Sequence, residues 1–187
     1  MSHELRKHFE KITPLTDQEF DYIFSHFTTK KLKKHQFLIQ EGDSVENDYF
    51  VVNGLLKAYF VNDEGKEHIM QFACEDWWIS DYQAYFNQTK ATLYVVCLED
   101  VEILCLSLHN REEICADLHK IEHFFRCKSN AGYVALQCRI LSLLNNNAQE
   151  RYEQLFQQQP ILFQRVPKTL LAQYLGVSRE TLSRFTL

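Results

Sequence analysis

The sequence predicts an α+β chain: an N-terminal antiparallel β-roll flanked by helices, one long helix, and a short C-terminal helical domain. Three observations carry this. Between residues 30 and 108 short runs rich in β-branched and aromatic residues alternate with turn residues, and Gly42, Gly54 and Gly65 fall in separate turns. From residue 117 onward the apolar residues recur at helical spacing for about seven turns. The last twenty residues hold two short apolar-faced segments separated by Gly176.

At 187 residues with 45% apolar and 24% charged side chains, the chain can bury a sizeable core and divide into a larger and a smaller domain. The boundaries expected are 1–116 for the roll, 117–144 for the long helix and 145–187 for the terminal domain. No uncharged apolar stretch is long enough to span a membrane, and "MSHELRKHFEKI" is too charged for a secretory leader. The six cysteines stand singly, most in apolar company such as "YVVCL" and "ILCLSL", which reads as reduced, buried thiols in a cytoplasmic protein.

Taken in order, "HELRKHFEKI" and "TDQEFDYIFSHF" are amphipathic and read as two helices. Thr16, with Glu19 three residues on, forms a capping box for the second. The roll follows in "FLIQ", "YFVVNG", "LLKAYFV", "HIMQFA", "TLYVVCL" and "VEILCLSL", as an antiparallel, jelly-roll-like arrangement. Between its halves "EDWWISDYQAYFNQTKA" is aromatic and irregular, suited to a pocket wall or a capping helix. Trp78, Tyr82 and neighbouring aromatics could line an apolar pocket there or be plain core.

The helical stripe comprises Leu118, Ile121, Phe125, Val134, Cys138, Leu141 and Leu144, near 3.5-residue spacing. A helix of about 27 residues is roughly 40 Å long, more than so small a domain needs for its own packing. It is expected to be a homodimer seam, with Gly132 allowing close approach of a second backbone. The plainer alternative is a helix packed wholly on its own roll. "NNN" at 145–147 breaks the pattern, and "AQERYEQLFQQQ" gives one more helix before Pro160.

The closing "VPKTLLAQYLGVSRETLSRFTL" reads as helix, glycine turn, helix. Pro167 suits a helix start, and Leu170, Leu171, Tyr174 and Leu175 form an apolar face. Ala172 is small where two helices cross, Gly176 supplies the turn, and Ser178 can cap the next helix. Leu182 and Phe185 face inward, leaving Arg179, Glu180, Ser183 and Arg184 outward. Arginine can donate two hydrogen bonds to guanine, glutamate can accept from cytosine, and serine can hold a phosphate. The net charge of −5 does not oppose this. Residues 1–109 carry ten basic and eighteen acidic side chains, a balance of −8, whereas residues 110–187 carry ten and seven, a balance of +3.

"GVSRETLSR" resembles the recognition-helix signature of the Crp/Fnr family of bacterial transcription regulators, S-R-E-T-apolar-x-R. The resemblance implies that Arg179, Glu180 and Arg184 read bases, with Ser178 and Thr181 on phosphates and Ser183 beside them. It extends to "EGDSVENDYFVVNGLLKAYFVNDEGKEHIMQF", which is similar to the family's cyclic-nucleotide-binding β-roll, and to residues 117–144, similar to its dimer helix. The function implied is a cytoplasmic homodimer that regulates transcription on double-stranded DNA, with no enzymatic activity, no metal and no cofactor. A roll of this kind is also where a small-molecule effector would bind. The candidate pocket residues are Phe72, Trp78, Ser80, Asp81, Tyr82, Lys90 and Thr92. Two departures from the family follow. Its nucleotide-binding cassette has Gly-Glu and then Arg-Ser or Arg-Thr, whereas Ser80-Asp81 and Lys90-Ala91-Thr92 stand here, so cyclic AMP is not expected to be held in the usual way. Only Phe-Thr-Leu follows Arg184, so a short recognition helix without the family's β-hairpin wing is expected. A ligand- or protein-binding module whose helix-turn-helix no longer reads DNA is the alternative. "HKIEH", with His119, Glu122 and His123, matches a zinc-protease motif, but it sits on the long helix and reads as surface histidines.

Overall fold

A computed structural model describes residues 1–185. The chain separates into two compact units, one of residues 1–60 and 71–128, the other of residues 61–70 and 129–187.

In the first unit, α1 (Ser2–Glu10) and α2 (Asp17–Ser25) precede two four-stranded sheets, of which only residues 61 and 67–70 are counted in the second unit. Thr16 caps α2 in the expected box: its hydroxyl accepts from the Glu19 main-chain N–H while the Glu19 carboxylate accepts from its own. The first sheet runs β1 (Thr28–Leu32), β8 (Val101–Ser107), β3 (Asn47–Asn53), β6 (Trp78–Ile79). The second runs β2 (Phe37–Ile39), β7 (Tyr94–Cys97), β4 (Leu56–Val61), β5 (Glu67–Ala73). Alternation along the strands assigns the faces. Tyr49 and Val51 of β3 point between the sheets with Leu56, Ala58, Val95 and Ile103, while Phe50, Leu104 and Leu106 point to the other side of the first sheet.

That second face is covered by helices. Leu5 and Phe9 of α1, Phe20 and Ile23 of α2, Ile114 of α4 (Leu108–Asp117) and Ile121, Phe124 and Phe125 at the start of α5 (His119–Asn145) bury against it. Gly54 links β3 to β4 at φ 102°, and a Cβ there would stand 2.5 Å from the Asp100 carbonyl, so only glycine fits. The aromatic segment between the sheet halves is more regular than its sequence suggests. It contains β6 and the short helix α3 (Tyr82–Asn87), which Asp81 caps.

In the second unit, α5 runs on to Asn145, the 27-residue length its spacing predicts. There follow α6 (Ala148–Gln158), α7 (Pro160–Arg165), α8 (Lys168–Leu175) and α9 (Arg179–Ser183). Asn147 caps α6 in a second capping box with Glu150. Leu155 of α6, Leu162 and Val166 of α7 and its boundary, Leu171, Ala172 and Leu175 of α8 and Leu182 of α9 are buried.

The cysteines need correcting. Cys74, Cys97 and Cys105 are buried, but Cys115 and Cys127 are half-buried and Cys138 is exposed. The first three lie in or beside strands whose inner face fills the roll, whereas Cys138 lies on α5, beyond the portion of that helix that packs on the sheet.

Candidate nucleic-acid interface and roll pocket

The turn between α8 and α9 is built by Gly176 at φ 70°. The Val177 N–H donates to the Ala172 carbonyl at 2.9 Å and the Gly176 N–H to Gln173 at 3.2 Å, the two bonds of a Schellman motif. The chain is thereby stopped and turned within one residue. Ser178 then starts α9, its hydroxyl accepting from the Thr181 N–H at 3.1 Å. Leu171, Ala172 and Leu175 of α8 and Leu182 of α9 are buried, which holds the two helices as one body.

The polar residues read from the sequence come together on the free side. Ser178, Arg179, Glu180, Ser183 and Arg184 are exposed and Thr181 is half-buried. Glu180 lies below the usual carboxylate range, because its own main-chain N–H and then the Ser178 hydroxyl donate to it. At neutral pH it is therefore an acceptor flanked by two guanidinium groups. The Ser183 hydroxyl is turned back onto the Arg179 carbonyl at 2.9 Å, so it is less available to a partner than Arg179 or Arg184. Residues 186 and 187 of the "FTL" ending lie outside the described residues; Phe185 packs on Tyr152 of α6, with ring centroids 5.4 Å apart.

Arg151 supports this pair of helices and was not legible in the sequence. From α6 its Nε and one terminal nitrogen donate to the Leu175 carbonyl at 3.1 and 3.0 Å, and the other to Asn146 at 2.7 Å. A guanidinium thus satisfies the last carbonyl of α8, where the helix dipole is negative.

The long helix divides the residues read as one seam. Ile121 and Phe125 are buried in the first unit and Leu118 packs against the same cluster. Gly132, Val134, Cys138 and Leu141 are exposed. The reason is aromatic packing at the N-terminal end: Phe124 lies 4.3 Å from Phe9 and Phe125 lies 5.7 Å from Trp78, centroid to centroid. The same helix carries Tyr133, Val134, Leu136, Ile140, Leu141, Leu143 and Leu144, each 48 to 74% exposed. A Cβ at Gly132 would meet nothing within 4 Å, so nothing within the chain requires glycine there.

The candidate roll-pocket residues do not converge. Asp81 is 1% exposed and committed to the fold: one carboxylate oxygen accepts from the Ala84 N–H at 3.1 Å, the other from the Thr92 N–H (2.7 Å), the Thr92 hydroxyl (3.1 Å) and the Leu93 N–H (3.1 Å). Thr92 is thereby used as well, and the Ser80 hydroxyl donates to the Asn47 carbonyl at 2.9 Å. Trp78 faces the helices rather than the roll interior, and its indole N–H donates to Nε2 of buried His8 at 3.0 Å. Phe72 is 2% exposed. Tyr82 is 37% exposed while its hydroxyl bonds to Asp48. Lys90 does line a cavity of about 370 Å³, with Ser44, Val45, Glu46, Gln88 and Thr89, and donates to the Ser44 hydroxyl at 3.0 Å.

Missed altogether was a buried ion pair beneath α3. Asp48 of β3 is 2% exposed and receives Arg111 of α4 at 3.3 Å, and the Arg111 guanidinium lies over the rings of Phe125 (4.1 Å) and Phe86 (5.1 Å). These residues are far apart in sequence, and no local pattern announces the pairing.

The described residues contain no helix long and apolar enough to cross a membrane. The family profile for the cyclic nucleotide-binding domain matches residues 29–117. An anaerobic regulatory protein of Bacillus subtilis is 22% identical over 94 residues, half of this chain but only 40% of that relative, so the chain spans less than half of its length. Among solved structures, FixK2 of Bradyrhizobium japonicum superposes with a TM-score of 0.72 at 16% identity, over 84% of this chain and 81% of that one. A structure from Eubacterium rectale assigned to the Crp/Fnr family of regulators gives 0.67 at 14% identity, over 91% of this chain and 81% of that one. Residues 29–117 thus match the cyclic nucleotide-binding domain profile, and the chain shares its fold with these solved regulators.

Proposed function

We propose that this chain is a cytoplasmic, non-enzymatic transcription regulator of the Crp/Fnr type, which binds double-stranded DNA as a homodimer through the helix that begins at Ser178. The observation that carries the reading is the exposed row Arg179, Glu180, Arg184 on a capped helix fixed by a left-handed glycine turn. Such a row presents two bidentate donors and one acceptor to base edges in a major groove, with Ser178 and Thr181 near the phosphates. In this reading residues 1–116 are a sensor-like roll, 117–144 the dimer helix and 145–187 the DNA-binding domain.

Dimerisation is supported by the exposed apolar residues of α5. Tyr133, Leu136, Ile140 and Leu143 repeat at spacings of three, four and three, and Val134, Cys138 and Leu141 form a second row beside them. Exposed apolar surface this continuous is what an association face requires. A two-fold dimer would put its recognition helices about 34 Å apart, one turn of DNA, and so favour a near-palindromic operator.

Any small effector of the roll is proposed to be other than cyclic AMP held in the family's usual way. Support comes from Asp81, whose oxygens are occupied by three main-chain N–H groups and the Thr92 hydroxyl and so are not offered to a ribose. The test is an electrophoretic shift of genomic fragments across a salt series, with sedimentation to give the stoichiometry. A sequence-selective complex of two chains per site is expected; no selective complex with any fragment refutes the reading. A thermal-shift screen with cyclic AMP and cyclic GMP tests the roll, and stabilisation by several degrees with either would overturn this view of the pocket.

A further inference from the structure

We propose that Arg139 is a positioning residue for DNA reading, a clamp that fixes α8, and with it α9, against α5 and the strand β5. The inference rests on the DNA-binding reading above. Arg139 projects from α5 and is half-buried. One terminal nitrogen of its guanidinium donates to the Ile69 carbonyl at 2.9 Å, the other to the carbonyl of Met70. The guanidinium carbon lies 3.8 Å from the centroid of the Tyr174 ring on α8. One planar group thus joins three separate segments of the second unit.

Only a guanidinium does this well. Its fork reaches two adjacent carbonyls at once, while its flat face remains free to stack on an aromatic ring. Tyr174 sits between Gln173 and Leu175, in the last turn of α8, where the Schellman bonds and the buried contact with Leu182 make α8 and α9 a single body. Holding the Tyr174 ring therefore holds the row Arg179, Glu180, Arg184. Arg151 ties the same turn to α6, so α8 is fixed from two directions. Misorientation of α9 penalises base contacts more than phosphate contacts, which tolerate small displacements.

The test uses the full chain with Arg139→Met, Arg139→Lys, Tyr174→Phe and Tyr174→Leu, on a selected operator and on random DNA. Arg139→Met and Tyr174→Leu should each weaken operator binding about tenfold, with random DNA nearly unaffected, and the double variant should be no worse than either alone. Arg139→Lys should lose nearly as much, because the fork is gone. Tyr174→Phe keeps the ring and should lose far less than Tyr174→Leu. Amide exchange supplies a readout that needs no DNA: α8 and α9 should open faster in Arg139→Met and Tyr174→Leu than in Tyr174→Phe. Equal losses on operator and random DNA, or unchanged exchange in both disruptive variants, would overturn the clamp. If the wild type binds no DNA selectively, the regulator reading fails, and the exchange comparison still decides the clamp. If Arg139→Met does not fold, Tyr174→Leu against Tyr174→Phe makes the same comparison.

Discussion

Replacing Asp48 with asparagine should abolish a pH dependence of stability that burial of its carboxyl creates. Asp48 is 2% exposed; its carboxylate accepts from the Tyr49 N–H at 3.0 Å, from Arg111 at 3.3 Å, and from the Tyr82 hydroxyl. Burial pushes its pKa from 3.8 up to about 7, against the pull of the Arg111 charge and the Tyr49 N–H. A carboxyl with a raised pKa binds its proton in the folded state while the unfolded chain has released it. Stability from this group is therefore greatest at low pH and falls as pH rises from about 4 to about 7. A shift of about 3 units at 1.36 kcal/mol each gives a ceiling of about 4 kcal/mol, with a slope near 1.4 kcal/mol per pH unit inside the window. Urea unfolding of the wild type and Asp48→Asn at matched pH values from 4 to 8 isolates the effect, since titrations common to both cancel. Loss of the Arg111 partner adds only a constant offset. The difference should fall by up to about 4 kcal/mol with rising pH and level off above 7. A flat difference, or one that grows with pH because the ion pair outweighs burial, would refute the reasoning.

Three further outcomes are expected. His8 should work in the opposite sense: burial lowers its pKa despite the pull of Asp76, with Lys128 and Lys11 also opposing the charge, and the Trp78 N–H fixes the neutral ring with its proton on the Asp76 side. Stability from His8 is then complete above about 6.5 and is lost as pH falls below it, which a wild-type minus His8→Gln unfolding series should show and a pH-independent difference would deny. Phe124→Ala removes a fully buried ring packed on Phe9, His8 and Phe125 and should cost about 3 to 5 kcal/mol by denaturant titration; a cost under about 1 kcal/mol would mean the cluster does not hold α1 and α5. Asp81→Ala leaves the Ala84, Thr92 and Leu93 N–H groups without their acceptor and should cost about 3 kcal/mol or more, whereas an unchanged melting temperature would free Asp81 for a ligand role.

Local chemistry was the legible part. The Thr16–Glu19 box, the glycine turns and the cap at Ser178 each lie within a few residues, and each is present. Elements defined by distant partners were not legible. The strand β1 has the sequence Thr-Thr-Lys-Lys-Leu, which has no apolar alternation, because it pairs on one side only, with β8, and shows its lysines to solvent. The two-residue β6 exists through its pairing with β3. Helix α4 starts at the Ser107 cap inside a stretch that reads as a strand ending. The site divides in the same way. Arg179, Glu180 and Arg184 follow from one helix's periodicity, whereas Arg139, Arg151 and the Asp48–Arg111 pair depend on contacts 24 to 70 residues apart. Asp81 fell between the two: its position beside Ser80 suggested a ligand, and the loop running back through Thr92 to β7 takes its oxygens instead.

The most direct measurement is selection of DNA from a random library by the full chain, followed by titration of the selected site with wild type and Arg184→Ala across a salt series. A near-palindromic site with half-sites about 10 base pairs apart is expected. Arg184→Ala should lose about 1 to 3 kcal/mol on it and relax one base position, with random DNA little changed. Absence of any enriched sequence, or an equal loss on selected and random DNA, would contradict base reading by the helix that begins at Ser178.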